Sequence, residues 1–279
     1  MTQVKSKEKT VEFGPGFPTA LIGERINPTG KKKIQELIQD GDLEWITEFA
    51  VEQEKAGADI IGINMGMPDI DESLLLTEAV QRVSEATSAP IYIDSSIPEA
   101  IFSAVDKYPY KPLVGSGTGE ETSYKPLIEY FSEKQAALVL LLQDEKGIPP
   151  HAVERVKIAE KILKFAETAH FPVHDLVFDC LAISVGAEPE AAVQTLDCIR
   201  MLTQDLKVST IIGLSNVSFG LPDRLVFNSS FAAVSVFSGL SAAILNPNSP
   251  NLVKMIRATE VLTLKDPYAV RYLEFYRSH

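Results

Sequence analysis

Several short apolar runs in this chain end on residues that can hydrogen-bond or titrate. The first run ends in Glu24, Arg25 and Asn27, the second in Asn64, and the third in Asp94, Ser95 and Ser96. The fourth ends in Gly115 and Ser116, the fifth in Gln143 and Asp144, and the sixth in Asp179. Ser215 and Asn216 follow the seventh, and Asn246 the eighth. Taken singly, Asp, Asn and Ser are ordinary caps and turn formers after a strand. Taken together they make a set of carboxylates and amides that suits a flat, neutral heterocycle. A carboxylate accepts two parallel N–H bonds, and an amide reads a mixed donor and acceptor edge. Other chemistries find less support. No lysine ends a run, as a Schiff-base enzyme requires, since Lys111 precedes the fourth. Gly115-Ser116-Gly117-Thr118-Gly119 fits neither a dinucleotide fingerprint nor a P-loop. Gly213-Leu214-Ser215-Asn216 and Asn246-Pro247-Asn248 lack the paired glycines and cations of a phosphate site. No metal site is expected. His170 and His174 are separated by Phe171-Pro172-Val173, His151 follows two prolines, and His279 is the last residue.

The elements that must position these residues follow from the alternation of apolar runs with longer amphipathic stretches. Strands are expected near 20–24, 58–63, 90–94, 112–115, 137–142, 175–179, 208–213 and 241–245. Between them, Asp42 is read as an N-cap with Leu43, Ile46, Phe49 and Ala50 on one helical face. From Pro150 to Thr168, Val153, Val156, Ala159, Leu163 and Ala166 form a stripe with Glu and Lys opposite. Eight strand–helix units without a linker imply an α/β fold, a single (β/α)8 TIM barrel, with its chemistry at the carboxyl ends of the strands. A doubly wound open sheet is the alternative topology. The expectation is one domain over 1–279, with 1–18 an N-terminal extension and 264–279 a C-terminal tail.

Composition narrows the partners. In 279 residues, 26 Lys and Arg face 38 Asp and Glu, a formal net charge of -12 that disfavours a nucleic-acid backbone. With 45% hydrophobic residues the chain can bury a sizeable core. The two cysteines, Cys180 and Cys198, provide no disulfide framework, and no apolar run approaches the ~20 residues of a membrane span. A cytoplasmic protein is expected.

Four blocks carry a resemblance. Gly23-Glu24-Arg25-Ile26-Asn27, Asn64-Met65-Gly66, Ile93-Asp94-Ser95-Ser96 and Gly213-Leu214-Ser215-Asn216-Val217-Ser218 occur in the order seen in methyltetrahydrofolate:corrinoid protein methyltransferases. These pterin-binding TIM barrels resemble dihydropteroate synthase and are related to the folate module of cobalamin-dependent methionine synthase. The resemblance runs from about Leu21 to Ile256. It implies that Asp94, Asn64 and Asp179 hold the pterin edge, that Gly213 and Ser215 shape the floor, and that Asn216 addresses N5. Glu24, Asn27 and Asn246 remain further strand-end candidates. At the fourth strand the family's Asn-Ser step is replaced by Gly115-Ser116, so a side-chain contact is missing unless Ser116 or a water supplies it. The implied reaction moves a methyl group between a corrinoid and N5 of tetrahydrofolate, leaning towards tetrahydrofolate as acceptor. No D-x-H-x-x-G cobalamin motif is present, so the corrinoid is expected on a separate protein that docks at the barrel mouth. A homodimer is implied as well.

Two alternatives stay open. A dihydropteroate synthase needs cations for its diphosphate leaving group, and the Leu214-Ser215-Asn216-Val217 block offers none. A non-catalytic folate-binding protein has the glycine at 115 as its support.

Overall fold

The computed structural model describes residues 1–278; His279 lies outside them. The chain begins with an antiparallel hairpin, β1 (Thr2–Lys5) and β2 (Thr10–Phe13). Eight parallel strands follow: β3 (Ala20–Ile26), β4 (Ile60–Asn64), β5 (Ile91–Asp94), β6 (Leu113–Thr118), β7 (Ala137–Leu141), β8 (Leu176–Asp179), β9 (Ser209–Gly213) and β10 (Ala242–Leu245). They close in sequence order, with β10 pairing both β9 and β3. Each overlaps one of the apolar runs, and the closed barrel excludes the open-sheet alternative.

The connecting helices are α1 (Lys32–Gln39), α2 (Glu44–Lys55), α3 (Glu72–Ala86), α4 (Pro98–Val105), α5 (Glu121–Ser132), α6 (Ala152–Thr168), α7 (Ala191–Gln204), α8 (Arg224–Ser238) and α9 (Pro250–Leu262), with α10 (Val270–Ser278) at the end. Strand side chains alternate between two cores. Ile22, Ile60, Tyr92, Leu113, Val139 and Val177 fill the barrel, and the outward-facing residues pack under the helices.

The N-terminal extension is part of that inner core. Val4 and Phe13 are fully buried among the barrel residues, while Thr2 hydroxyl donates to the His174 carbonyl at 2.7 Å and Lys5 N–H to Lys111 at 2.7 Å. His174 and Lys111 stand just before β8 and β6, so the hairpin covers the amino-terminal end and leaves the carboxyl end as the mouth. The C-terminal tail is a docked helix: Arg271 reaches Asp59 at 3.3 Å, and Asp59 also pairs with Arg257 at 3.1 Å.

Two helix details depart from expectation. Leu43, one residue later than anticipated, occupies the cap of α2, and the Asp42 carboxylate instead receives Glu44 N–H at 3.1 Å. In α6, Val153 is 53% exposed while Arg155 is wholly buried. The helix is rotated relative to the simple stripe because Arg155 has inward partners: it donates to the carbonyls of Pro149 at 2.8 Å, Cys180 at 2.8 Å and Leu181 at 3.1 Å. Among the described residues, no helix is long and apolar enough to cross a membrane.

Candidate active site

The carboxyl ends of the strands surround a cavity of about 390 Å³. Its wall includes Glu24, Asn27, Asn64, Asp94, Ser215 and Asn216, with Gly213 beneath Asn216. Strand periodicity explains the convergence. Asp94 follows the inward Tyr92 by two residues, Asp179 follows Val177, and Gly213 follows Ile211, so each continues the face that fills the barrel.

Asp94 is the best-connected acid. Asn64 Nδ2 donates to one of its oxygens at 3.1 Å and the Tyr92 hydroxyl to the other at 3.2 Å. Asn64 in turn accepts Gly66 N–H at 3.1 Å, which fixes its amide orientation. Burial raises the Asp94 pKa, the two donors oppose that rise, and the Glu72 charge adds to it. Ser95 turns away from the cavity, donating to Glu72 and accepting Ile97 N–H at 3.0 Å.

Asp179 is not on the cavity wall but lies close enough for its charge to oppose that of Asp94. Burial pushes its pKa up to about 7, against a 2.8 Å hydrogen bond from Leu181 N–H and the Arg155 charge. Glu24 is also raised, first by burial, with Lys31 and Arg224 acting in the opposite sense. Lys31 lines the cavity and is lowered by burial, while Glu24 works against that shift.

Asn216 sits in a short 3-10 turn, Leu214–Ser218. Its side chain is exposed to the cavity and makes no hydrogen bond among the described residues, unlike a capping asparagine. A Cβ on Gly213 would stand 2.9 Å from Asn216 Nδ2, so glycine lets this amide lie over the strand end. The turn is anchored by Arg224, which donates to the Ser215 carbonyl at 2.8 Å and to the Ser218 hydroxyl at 3.0 Å.

Three candidates have local roles of their own. Asn246 caps its own turn, accepting Asn248 N–H at 3.1 Å, and is not on the wall. Asn27 lines the cavity but is also a turn residue, accepting Thr29 N–H at 2.8 Å. Gly115 is buried, and a side chain there would run into Val139 of β7, 2.8 Å from its Cβ. The position is packed rather than an open gap. Ser116 is half-buried, close enough to Tyr92 to oppose the rise in the tyrosine's pKa. Tyr92 and Lys31 were absent from the sequence candidates. The two-residue strand period could have placed Tyr92 beside Asp94; Lys31 carries no comparable signal.

A larger cleft of about 530 Å³ lies at the rim, lined by Asp144, Lys146, Glu154, Lys157 and Lys161 among others. It gathers none of the converging amides, so the mouth cavity is the candidate site. Among the described residues, no group of three or more His, Cys, Asp and Glu could hold a metal ion.

A family model described as pterin binding enzyme matches residues 23–246. A methylcorrinoid:tetrahydrofolate methyltransferase of Eubacterium limosum is 30% identical over 266 residues, covering 92% of this chain and 96% of that protein. A methionine synthase of Mycobacterium leprae is 26% identical over 87% of this chain, which spans 21% of that protein. In structure, a Xanthomonas albilineans dihydropteroate synthase with 4-aminobenzoic acid superposes with a TM-score of 0.72 over 94% of this chain and 98% of that one. At 17% identity this likeness concerns the fold alone.

Proposed function

The chain belongs to the pterin binding enzyme family, and from that premise we propose that it transfers a methyl group from a methylated corrinoid protein to N5 of tetrahydrofolate. The observation that carries the reading is the mouth cavity, which brings Asn64, Asp94, Ser215 and Asn216 together. The Eubacterium limosum relative, named for the same transfer and matched along nearly its whole length, supports the direction.

The chain's residues divide the work. Asp94 accepts parallel N–H bonds from the aminopyrimidine edge, Asn64 keeps that carboxylate oriented, and Asp179 provides a second acid on the same side. Gly213 and Ser215 form the floor, while Gly115 and Ser116 border Tyr92 behind Asp94. The corrinoid arrives on its own protein at the open mouth and supplies the methyl group. Asn216 orients N5, whose lone pair forms the new carbon–nitrogen bond as the methyl's bond to the corrinoid breaks with its electron pair left on the corrinoid, and whose proton passes to solvent or a relay. In the opposite direction, the amide stabilises charge developing on N5 as that bond breaks.

The protein acts as one domain over 1–279, in the cytoplasm, and as a homodimer. Buried free thiols at Cys180 and Cys198 suit a reducing compartment. Exposed apolar side chains on α8, including Val226, Val234 and Phe237, support self-association. A dihydropteroate synthase reading is less suited: among the described residues Lys31 is the sole cation on the cavity wall, and it faces Glu24.

Calorimetric titration with methyltetrahydrofolate tests the site, with Asp94→Ala alongside. Saturable binding to the native chain and its loss in the variant are expected. Transfer is then followed anaerobically with a methylcorrinoid protein, where Asn216→Ala should lower turnover about 10²-fold while retaining most binding. No saturation with the native protein sinks the pterin reading; binding without turnover favours a non-catalytic folate carrier.

A further inference from the structure

Asp94 is held from two sides, and one holder comes from within its own strand. Tyr92 is buried in the barrel core and lines the cavity with Asp94. Its hydroxyl donates to one Asp94 oxygen at 3.2 Å, while Asn64 donates to the other at 3.1 Å. Each oxygen therefore has one protein donor and keeps acceptor capacity for a ligand N–H. With a single donor, the carboxylate plane would be free to swing about that bond.

The space for the tyrosine hydroxyl depends on the neighbouring strand. Gly115 of β6 is the register partner of Asp94. A Cβ on Gly115 would lie 3.4 Å from Tyr92 Oη, 2.8 Å from Val139 Cβ and 3.0 Å from the Val139 carbonyl oxygen. Such a Cβ would meet the hydroxyl at ordinary contact distance but collide with Val139, so a side chain at 115 would shift the strand that borders the hydroxyl.

We propose that Tyr92, seated in the space kept by Gly115, is a positioning residue that fixes the Asp94 carboxylate for recognition of the pterin edge. This rests on the pterin reading and adds a determinant of affinity to it. The surrounding charges make the arrangement consequential. Glu72 from α3 and Asp179 from β8 both repel a negative Asp94, so Tyr92 and Asn64 are the side chains favouring its ionised form. Burial and the two aspartates push the Tyr92 pKa well up, which keeps the hydroxyl protonated as a donor.

The test is calorimetric titration of native protein, Tyr92→Phe, Gly115→Ala and Asp94→Ala with methyltetrahydrofolate from pH 5 to 8. Thermal midpoints verify that each variant is folded. Tyr92→Phe should bind about tenfold more weakly near neutral pH, the effect of losing one hydrogen bond to a charged group. The acid limb of its binding profile should move to higher pH, because Asp94 has lost a donor that favours ionisation. Gly115→Ala, whose methyl collides with Val139 and so shifts the strand beside the hydroxyl, should weaken binding in the same direction. Native affinity and an unmoved acid limb in folded Tyr92→Phe, with Asp94→Ala still inactive in binding, overturn the positioning role and leave the pterin site intact. Absence of saturable binding to the native protein overturns both.

Discussion

The two inward acids, Asp94 and Asp179, show how polar strand ends oppose folding. Burial raises both, and neither has a cation in direct contact. The native Asp179 carboxyl retains its proton up to about pH 7, whereas an unfolded aspartate releases it near 4. Across that window the native state holds more protons than the unfolded state, so stability falls as pH rises. Asp179→Asn keeps an oxygen for Leu181 N–H but removes the charge. It should be more stable than the native protein at pH 8 by roughly 1–3 kcal/mol, with the gain cut to roughly a third at pH 5. Thermal unfolding at the two pH values measures this, and equal midpoints at both would count against a destabilising buried carboxylate. Folate affinity should fall in the same variant. Both acids were legible as residues at the ends of apolar runs. Tyr92 was not, because a tyrosine inside such a run reads as packing. Nor was the crowding at Gly115, which depends on Val139 in the next strand.

Among the elements, strands announced themselves better than helix faces. A buried parallel strand is apolar on both sides, so its position survives any error in deciding which side faces inward. A helix divides its surface, and one long polar side chain with local partners can reverse the reading. Arg155 shifts it in α6 by taking the carbonyls of Pro149, Cys180 and Leu181, leaving Val153 exposed while Val156, Ala159 and Ala166 stay buried as the stripe predicts. Two of those carbonyls belong to the segment immediately after Asp179, so the arginine ties the helix to the strand end that carries the acid. Arg155→Leu fills much of the volume but leaves these buried acceptors without their donor. A loss of about 2–4 kcal/mol is expected in urea unfolding. Arg155→Lys should not restore it, since an ammonium group cannot reproduce the guanidinium fork. Native-like stability in Arg155→Leu would mean that the loop finds other partners.

At the scale of the molecule, the barrel's two ends and its side have separate tasks. The hairpin and the Asp59–Arg257–Arg271 cluster cover the amino-terminal end, leaving the mouth open. On the side, Val226, Val234 and Phe237 fall on one stripe of α8, with Phe237 76% exposed. Neighbouring α9 adds Met255 and Leu262. A twofold dimer through this side would bury the stripe while leaving both mouths open, and every side chain in such an interface counts twice. Burying one phenylalanine contributes ~1.5–3 kcal/mol. Phe237→Glu should therefore weaken a dimer by roughly 10²- to 10⁴-fold from two lost apolar contacts, before any cost of burying the carboxylate. Sedimentation velocity of native and variant protein at micromolar concentration reads this directly: the native chain should run as a dimer and Phe237→Glu as a monomer. Folate affinity should be unchanged, because Phe237 lies at the far end of α8 from the Arg224 contacts at the mouth. A native protein that sediments as a monomer removes the dimer, while a variant that remains dimeric moves the interface elsewhere on the barrel.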